Sequence, residues 1–451
     1  MTSDSLPAVT APEADRTVAG WLEDKGLSVI HLALVDASGT VREKRLGPAA
    51  AARAFEGGWS FIDAIQWWDA ADHSARFGGS VDADAAVDRT SGRRYPFEPE
   101  AALFLADFTG ALGELSPRVQ LRRLVDRASA CGLLAEVGWE FELIVLDQSD
   151  AAARLDADGL RPAMSDNRCW SALTPAVETE TFSGLSATLA AGEVPVDHIC
   201  AELGPGCLEL ATEHRPALRS ADDAALAKVF TKAFFARRGQ TATFMAQVGE
   251  GFPGLGGHPS LSLSSIADGR PVIEDGTGRL SSVARAAVGG VITLLPELLA
   301  MAAPVPNSYR RFGPGNWAPT TATWGPGNYS CALRVVHAGP VSRLELRIPG
   351  ADVSPHLCLA MFLGAVLWGV EHNLEPPAAV LAPADGRFAR GAAGLPRNLL
   401  EATERFAASK EALDLYGPSF VEHYATTRLA EEEACRRFVS VQEQRRYLQQ
   451  V

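Results

Sequence analysis

The sequence is short of positive charge and of paired cysteines, and each shortage argues against a class of protein. Lysine and arginine together number 41 against 55 aspartates and glutamates, which gives a net charge of −14. A nucleic-acid surface needs a basic face, so this balance argues against nucleic-acid binding. The seven cysteines are an odd set without a CxxC spacing. They argue against a disulfide framework or a zinc knuckle and indicate a reducing compartment.

Signals for export and for membrane insertion are also missing from the pattern. Residues 1–16 lack the basic, apolar and small-residue order of a secretion signal, and we predict a disordered tail there. The longest apolar stretch, residues 357–370, is too short to span a bilayer and predicts a buried helix. The sequence also contains neither GxxxxGK[ST] nor a strand–GxGxxG–helix unit. We therefore expect a cytoplasmic protein without a membrane partner, a P-loop or a Rossmann site.

The remaining pattern predicts an α+β protein in two folded parts. Residues 17–115 form a small α+β domain, with a polar loop expected at 65–89, and the second domain covers 116–451. Ser116-Pro117 opens an amphipathic helix at the boundary. From residue 134 onward strands alternate with helices, which are predicted at 223–238, 281–302, 353–371, 396–415 and 428–447.

The segment EVGWEFELIVL, residues 136–146, places acids side by side on a very hydrophobic strand. Side chains of a strand alternate between its faces, so Val137, Trp139, Phe141, Leu143 and Val145 share an apolar face. Glu140 and Glu142 share the other face, and no lysine or arginine lies in the segment. Two ionised acids this close repel unless a cation or a proton lies between them. A solvated sheet edge is the alternative for this segment taken alone.

Three further segments also carry acids or a histidine that could bind a cation. Glu202 and Glu209 flank Gly204-Pro205-Gly206, a turn that breaks the strand alternation and can bring both acids inward. Residues 341–350 place Arg343, Glu345 and Arg347 on one strand face, and His258 ends the segment GLGGH. Each segment also has an ordinary interpretation: a turn with surface acids, an ion-pair ladder, or a structural histidine.

Together these segments supply five carboxylates and one imidazole on strand faces of one domain. Oxygen-rich ligation suits Mg²⁺ or Mn²⁺. Six ligands can serve two ions, an arrangement that clamps phosphoryl oxygens during an in-line displacement. The predicted metal ligands are Glu140, Glu142, Glu202, Glu209, His258 and Glu345.

At this point the chain resembles the glutamine synthetase family, and in particular its γ-glutamylpolyamine and γ-glutamylethanolamide synthetase-like branch. The resemblance is carried by GWEFEL, AELGPGCLE, GLGGHPSLSL, PNSYRRFGPGNWAPTTATWGPGNYSCALRV and SRLELRIPGAD. It implies a β-grasp-like N-terminal domain and a catalytic domain whose antiparallel sheet forms a funnel, surrounded by helices. It also implies an ATP-dependent carboxylate–amine ligase that works through an acyl phosphate.

The resemblance assigns roles by position. One divalent ion is held by Glu142, Glu202 and Glu209, and a second by Glu140, His258 and Glu345. Arg311 and Arg347 act on the acid substrate as catalytic and binding residues, with Gly254 and Trp317 beside it. ATP, the co-substrate, is assigned to Ser260, Ser262, Arg334 and Arg343.

The chain departs from the family pattern on the substrate side. Cys207 replaces a glutamine, Ser260 replaces the second histidine of an HxH pair, and Tyr329 replaces an arginine that touches ATP and the acid. Trp317 stands where true glutamine synthetases carry the glutamate that deprotonates ammonium, which favours an organic amine. The alternatives left open are a catalytically impaired regulatory or assembly partner and a phosphotransferase that stops after the first half-reaction.

The resemblance also implies a homo-oligomer, a dodecamer of two hexameric rings with active sites between subunits. In the family an aspartate of a neighbouring N-terminal domain completes the site. Asp63, Asp69 and Asp72 are the candidates here, and surface or capping roles are the alternative.

Overall fold

The computed structural model describes residues 18–76, 80–155, 159–164, 166, 168–312, 316–382 and 392–449. The predicted disordered tail at residues 1–16 lies outside these described residues. Within them the chain forms two sheets, one built from the first hundred or so residues and one from the remainder.

The smaller sheet has five strands in the order β2-β1-β5-β4-β3. Its strands are β1 (Val29–Val35), β2 (Val41–Leu46), β3 (Trp59–Ile62), β4 (Asp82–Arg94) and β5 (Ala101–Phe108). The central strands β1 and β5 run parallel, whereas the outer pairs are antiparallel. The helices α1 (Val18–Asp24) and α2 (Pro48–Gly57) supply side chains to the core of this part.

The loop predicted at residues 65–89 is wrong in its second half, where β4 begins at Asp82. Ala83 and Ala85 are buried while Asp82 and Asp84 are exposed. The strand therefore has the expected period of two. Its inward residues are alanines, so hydrophobicity alone gave too weak a strand signal.

The larger sheet has nine strands and carries the candidate site. The path is β12-β13-β14-β11-β6-β8-β7, and β9 and β10 also pair with β6. The strands are β6 (Leu133–Leu146), β7 (Val196–Ala201), β8 (Cys207–Thr212), β9 (Arg215–Pro216), β10 (Thr241–Thr243), β11 (Gly257–Ser265), β12 (Trp324–Pro326), β13 (Leu333–Val336) and β14 (Arg343–Leu346). Every pairing is antiparallel except that of β12 with β13.

The long central strand β6 has the two faces that its sequence predicts. The apolar residues at 137, 139, 141, 143 and 145 are all fully buried, so the prediction of an apolar face is confirmed. They pack into the main hydrophobic core with residues of the helices Pro117–Ala130, Ala217–Ala236 and Pro355–Glu371. The acids of β6 consequently face the other side of the sheet.

Among the described residues, twelve further α-helices follow the smaller sheet, and several of them cover the apolar face of the larger sheet. They are α3 (Gly110–Gly113), α4 (Pro117–Ala130), α5 (Asp150–Leu155), α6 (Leu173–Val177), α7 (Thr179–Ala191), α8 (Ala217–Ala236), α9 (Ser282–Leu298), α10 (Pro355–Glu371), α11 (Leu399–Ala408), α12 (Lys410–Tyr416), α13 (Pro418–Arg436) and α14 (Val441–Tyr447). The segment Ser282–Met301 is long and apolar enough to cross a membrane, but 78% of its apolar window is buried inside the protein. It is therefore a core helix, packed against α10.

Two predicted C-terminal helices need correction. The helix expected at 396–415 is divided at Ser409, whose side chain accepts a hydrogen bond from the Ala412 amide and caps α12. The helix expected at 428–447 is the end of α13 followed by α14, and Ser440 forms a capping box with Glu443 between them. Charge periodicity continued across both breaks, so only the capping serines signalled them. The predicted domain boundary at residue 116 stays a prediction.

Candidate active site

The register of β6 decides which groups surround its two acids. Glu140 lies opposite His258 on β11 and Ala211 on β8. Glu142 lies opposite Glu209 on β8. Two positions on one strand thus have different neighbours, one an imidazole and the other a second carboxylate.

Glu140, His258 and Glu345, which we call the buried triad, converge from β6, β11 and β14. Their ligand atoms all lie within 4.8 Å of one another, and His258 and Glu345 are only 2% and 1% exposed. Burial, followed by the charges of Glu345 and Glu209, raises the pKa of Glu140 to about 7. Burial and the nearby arginines hold the pKa of His258 well below its usual range, which leaves the neutral imidazole that ligates metals.

Two arginines compensate the charge of Glu345. Arg347 Nη1 donates to Glu345 Oε1 at 2.5 Å, and Arg334 Nη1 donates to Glu345 Oε2 at 2.6 Å. Both guanidiniums also lie over the ring of Tyr329, with Cζ 3.9 Å from its centroid for Arg334 and 5.1 Å for Arg347. Arg347 Nε donates to the Tyr329 carbonyl at 2.9 Å. Tyr329 therefore holds both guanidiniums beside the triad.

Arg311 contacts the triad through His258. Its Nη2 lies 3.1 Å from His258 Nε2, and its Nη1 donates to the Ile348 carbonyl at 2.9 Å. A side chain at Gly256 would clash with the His258 ring, because a Cβ there would lie 2.3 Å from Nε2. A Cβ at Gly254 would lie 2.9 Å from Arg311 Cγ. Both glycines permit this close approach, and the predicted substrate role of Gly254 and Arg311 stays a prediction.

Glu142, Glu202 and Glu209, which we call the outer acids, lie farther along the same face. Glu142 Oε2 accepts a hydrogen bond from the Gly256 amide at 2.6 Å. Burial raises the pKa of Glu142 despite Arg311, and Glu202 and Glu209 raise it further. Burial and Glu202 also raise the pKa of Glu209. The three acids are close enough to repel one another, and their role as ligands of a first ion stays a prediction.

Groups that the sequence analysis missed border the outer acids. The Cys169 thiol donates to Glu202 at 3.2 Å, and His198 Nε2 lies 3.2 Å from Glu209 Oε1. Burial and the adjacent acids raise the pKa of Cys169 and of Cys200 to about 12. The alternation that contains Glu202 also contains Cys200 and His198, two and four residues before it. The period of the strand was therefore a usable signal for Cys200 and His198. Cys169 lies outside any strand and gave none.

A cavity of about 480 Å³ opens beside the triad on the same face. It brings together Ser260, Ser262 and Arg343, which the sequence assigned to the nucleotide. The Ser260 hydroxyl is buried and has no hydrogen-bond partner among the described residues. His214, another lining residue, was missed, because no strand pattern connects it to the acids. Arg334 instead contacts Glu345 and Tyr329.

The candidates for the substrate end lie at the surface or serve local structure in this chain. Trp317 is 70% exposed and has a positive φ of 51°. Asp63 accepts from the Val81 amide, Asp69 accepts from the Ala71 and His73 amides, and Asp72 pairs with Arg42. These contacts are the capping and surface roles named as the alternative for the three aspartates.

Comparison with known proteins identifies the family. The profile described as "Glutamine synthetase, catalytic domain" matches residues 114–447. The chain is 31% identical to the glutamate–isopropylamine ligase of a Pseudomonas species over 448 residues, covering 96% of this chain and 97% of that one. It is 35% identical to γ-glutamylethanolamide synthetase GlnA4 of Streptomyces coelicolor over 361 residues, covering 79% and 77% of the two chains.

A solved structure agrees with these relatives. The protein titled "GmaS/ADP complex-Conformation 1" superposes with a TM-score of 0.85 at 26% identity, over 96% of this chain and 100% of that one. The fold is accordingly the mixed α/β fold of the glutamine synthetase catalytic domain. The chain therefore belongs to the glutamine synthetase family, and it is an enzyme of the ligase class to which these relatives belong.

Proposed function

We propose that this enzyme joins glutamate, or a related acid, to an organic amine through an acyl phosphate, with ATP as the co-substrate. The observation that carries the proposal is the convergence of the buried triad and the outer acids on one sheet face, beside a cavity with an unpartnered serine hydroxyl. Two relatives, the glutamate–isopropylamine ligase and the γ-glutamylethanolamide synthetase, support an amine other than ammonia.

The donor set fits divalent cations. Glu140 is a buried carboxylate with a strongly raised pKa, and it lies beside the neutral imidazole of His258. A divalent cation bound by both groups would supply the positive charge that stabilises the ionised carboxylate. Glu140, His258 and Glu345 would hold one Mg²⁺ or Mn²⁺, and Glu142, Glu202 and Glu209 another. Such cations would supply charge neutralisation of phosphoryl oxygens.

Different side chains of the site would bind the nucleotide and stabilise the charge that develops in the reaction. Ser260, Ser262 and Arg343 line the cavity that would take ATP. Arg334 and Arg347 are held beside the triad by Tyr329 and Glu345, where guanidiniums can stabilise the charge that develops during phosphoryl transfer.

The chemistry proceeds in two steps. A carboxylate oxygen of the acid attacks the γ-phosphorus of ATP, the bond to the β-γ bridging oxygen breaks, and ADP leaves. The amine nitrogen then attacks the acyl carbon, phosphate departs, and the nitrogen loses a proton as the amide forms. Trp317 is exposed, and we assign it to the amine, to which it would present an indole in place of a carboxylate.

The test is ADP release with glutamate and a panel of alkylamines, polyamines and ethanolamine, with the amide identified by mass spectrometry. We expect Mg²⁺-dependent turnover with at least one organic amine and much weaker turnover with ammonium. The control is Glu345→Gln, which should abolish turnover with every amine. Tight ATP–Mg²⁺ binding without turnover for any acid and amine would refute the proposal.

A second candidate is a catalytically impaired member that binds nucleotide and acts on a partner enzyme. It is favoured by one observation: a tyrosine ring contacts both of the arginines that pair with Glu345. Restoring the family residue with Tyr329→Arg separates the two functions. A silent wild-type protein that gains amide synthesis supports the impaired member, whereas an active wild-type protein that loses activity supports the ligase.

We also infer the finer architecture and assembly from the family. The smaller sheet is assigned to the β-grasp type, and the larger sheet forms the wall of a funnel. The assembly is assigned as two stacked hexameric rings, in which an N-terminal aspartate of one subunit, with Asp63, Asp69 and Asp72 as the candidates, completes the site of its neighbour. Sedimentation at a mass of a monomer or dimer would contradict this assembly.

A further inference from the structure

A further group of donors shares only Glu209 with the two proposed cation sets. His198 and Cys200 are two residues apart on β7, so they share a face of the strand. Glu209 lies directly opposite Cys200 on β8. The ligand atoms of these three residues all lie within 4.8 Å of one another. We call this group the His–Cys–Glu cluster.

The spacing of the donors fits a tetrahedral cation. His198 Nε2 lies 3.2 Å from Glu209 Oε1, and Cys200 Sγ lies 3.8 Å from the same oxygen. Zinc bond lengths and the tetrahedral angle give about 3.3–3.5 Å between neighbouring nitrogen and oxygen ligand atoms and about 3.5–3.7 Å between neighbouring sulfur and oxygen ligand atoms. The observed nitrogen–oxygen distance is slightly shorter and the sulfur–oxygen distance slightly longer than these ranges, so shifts of a few tenths of an ångström would complete the geometry.

The histidine is already oriented for metal ligation. Its Nδ1 lies 2.9 Å from Asp197 Oδ2, and a protonated Nδ1 donating there leaves the Nε2 lone pair directed toward Glu209. A carboxylate behind a histidine is the usual outer partner of a metal-bound imidazole. The contact therefore keeps the proton on Nδ1 when a cation displaces a proton from Nε2.

The cluster has an open side and a chemically distinct donor set. His198 is 45% exposed and lines the cavity of about 480 Å³, so a water can reach the fourth position. A thiolate, an imidazole and a carboxylate together favour a thiophilic cation over Mg²⁺. The buried triad and the outer acids have no sulfur ligand. The different cation preference of the His–Cys–Glu cluster therefore follows from its ligand types.

We propose that His198, Cys200 and Glu209 form a separate binding site for a thiophilic divalent cation of the Zn²⁺ type. The Cys200 thiol releases its proton to solvent on binding. Because Glu209 also belongs to the outer acids, occupation of the site withdraws a carboxylate from them and slows turnover. Only this last consequence rests on the proposed function.

The test is titration of the metal-free full-length protein with Co²⁺, which reports both geometry and sulfur ligation. We expect one equivalent to give a near-ultraviolet sulfur-to-cobalt charge-transfer band and visible bands of tetrahedral cobalt, both removed by Zn²⁺ and retained in millimolar Mg²⁺. Cys200→Ser should remove the charge-transfer band. Cys169→Ser is the matched control, because that thiol touches Glu202 and not the cluster, and it should retain the band.

The contact between Asp197 and His198 gives a test in which no ligand of the cation is removed. Asp197→Asn should keep the band but weaken cobalt affinity by about 10- to 100-fold. Absence of a band in the wild-type protein, or a band that survives Cys200→Ser, would overturn the proposal. The band is measured without substrates: a band without turnover would refute the proposed function alone, and Mg²⁺-dependent turnover without a band would refute this inference alone.

Discussion

The buried triad and the outer acids lie on the same sheet face, yet their charges are managed differently. In the triad, Glu345 pairs with Arg334 and Arg347. Around the outer acids the neighbours are a backbone amide, a histidine and thiols. The difference follows from register, because β6 pairs with β11 on one side and with β8 on the other. Neighbouring acids on one strand can thus acquire different partners.

The largest expected effect comes from Glu345→Gln, because it leaves two cationic partners uncompensated. Glu345 is 1% exposed, and Arg347 and Arg334 are 8% and 16% exposed at their side chains. Breaking a buried ion pair by removing one partner costs about 3–5 kcal/mol. Urea unfolding of the metal-free protein should show a loss toward the lower end of that range, since Arg334 is partly solvated.

The matched control is Glu140→Gln in the same triad. Among the described residues, no arginine, lysine or histidine forms an ion pair with the Glu140 side chain. Removing its charge should leave the free energy of unfolding unchanged or increase it. Equal losses for the two variants would contradict the view that Glu345 alone carries the compensation.

Cation binding is expected to have the next largest effect. A ligand that binds only the folded state stabilises it by about 2.7 kcal/mol at a hundred times its dissociation constant. Thermal unfolding should therefore shift upward with Mg²⁺ in the wild-type protein. The shift should be smaller in Glu140→Gln, which keeps only the outer acids as a complete set of ligands, although that variant folds well. A full shift in this variant would show that the buried triad does not bind the cation.

The aromatic contact is expected to have a smaller effect. Cation–π interactions contribute about 0.5–2 kcal/mol according to their exposure. Tyr329→Ala releases both guanidiniums, so the KM for the acid should rise roughly 2- to 30-fold. Tyr329→Phe keeps the ring and should keep the KM. A loss in both variants would assign the effect to the hydroxyl.

Cys169→Ser should have the smallest effect on stability. A hydroxyl can replace the thiol as donor to Glu202, and Cys169 is exposed. Surface substitutions of this kind change the free energy of unfolding by less than about 0.5 kcal/mol. A larger change in urea unfolding would show that the thiol has a structural role beside the outer acids.

The sequence predicted the faces of the central strand because a period of two is visible within one segment. It also identified all three members of the buried triad, although they come from strands far apart in the chain. Their convergence depends on the strand order of the sheet, and the sequence analysis grouped them around one ion only through the family resemblance. The charge partners were not predicted, because the contacts of Tyr329 with two arginines depend on side-chain orientations that no local pattern encodes. His198 and Cys200 were predictable in principle from the alternation that contains Glu202.

The most direct test is anomalous diffraction from crystals grown with Mn²⁺ and a non-hydrolysable ATP analogue. We expect a manganese peak bonded to Glu140, His258 and Glu345, and a second peak among Glu142, Glu202 and Glu209. At least one of Arg334 and Arg347 should have left Glu345 for the phosphates. Absence of any peak at the triad, with both arginines still bound to Glu345, would contradict the account.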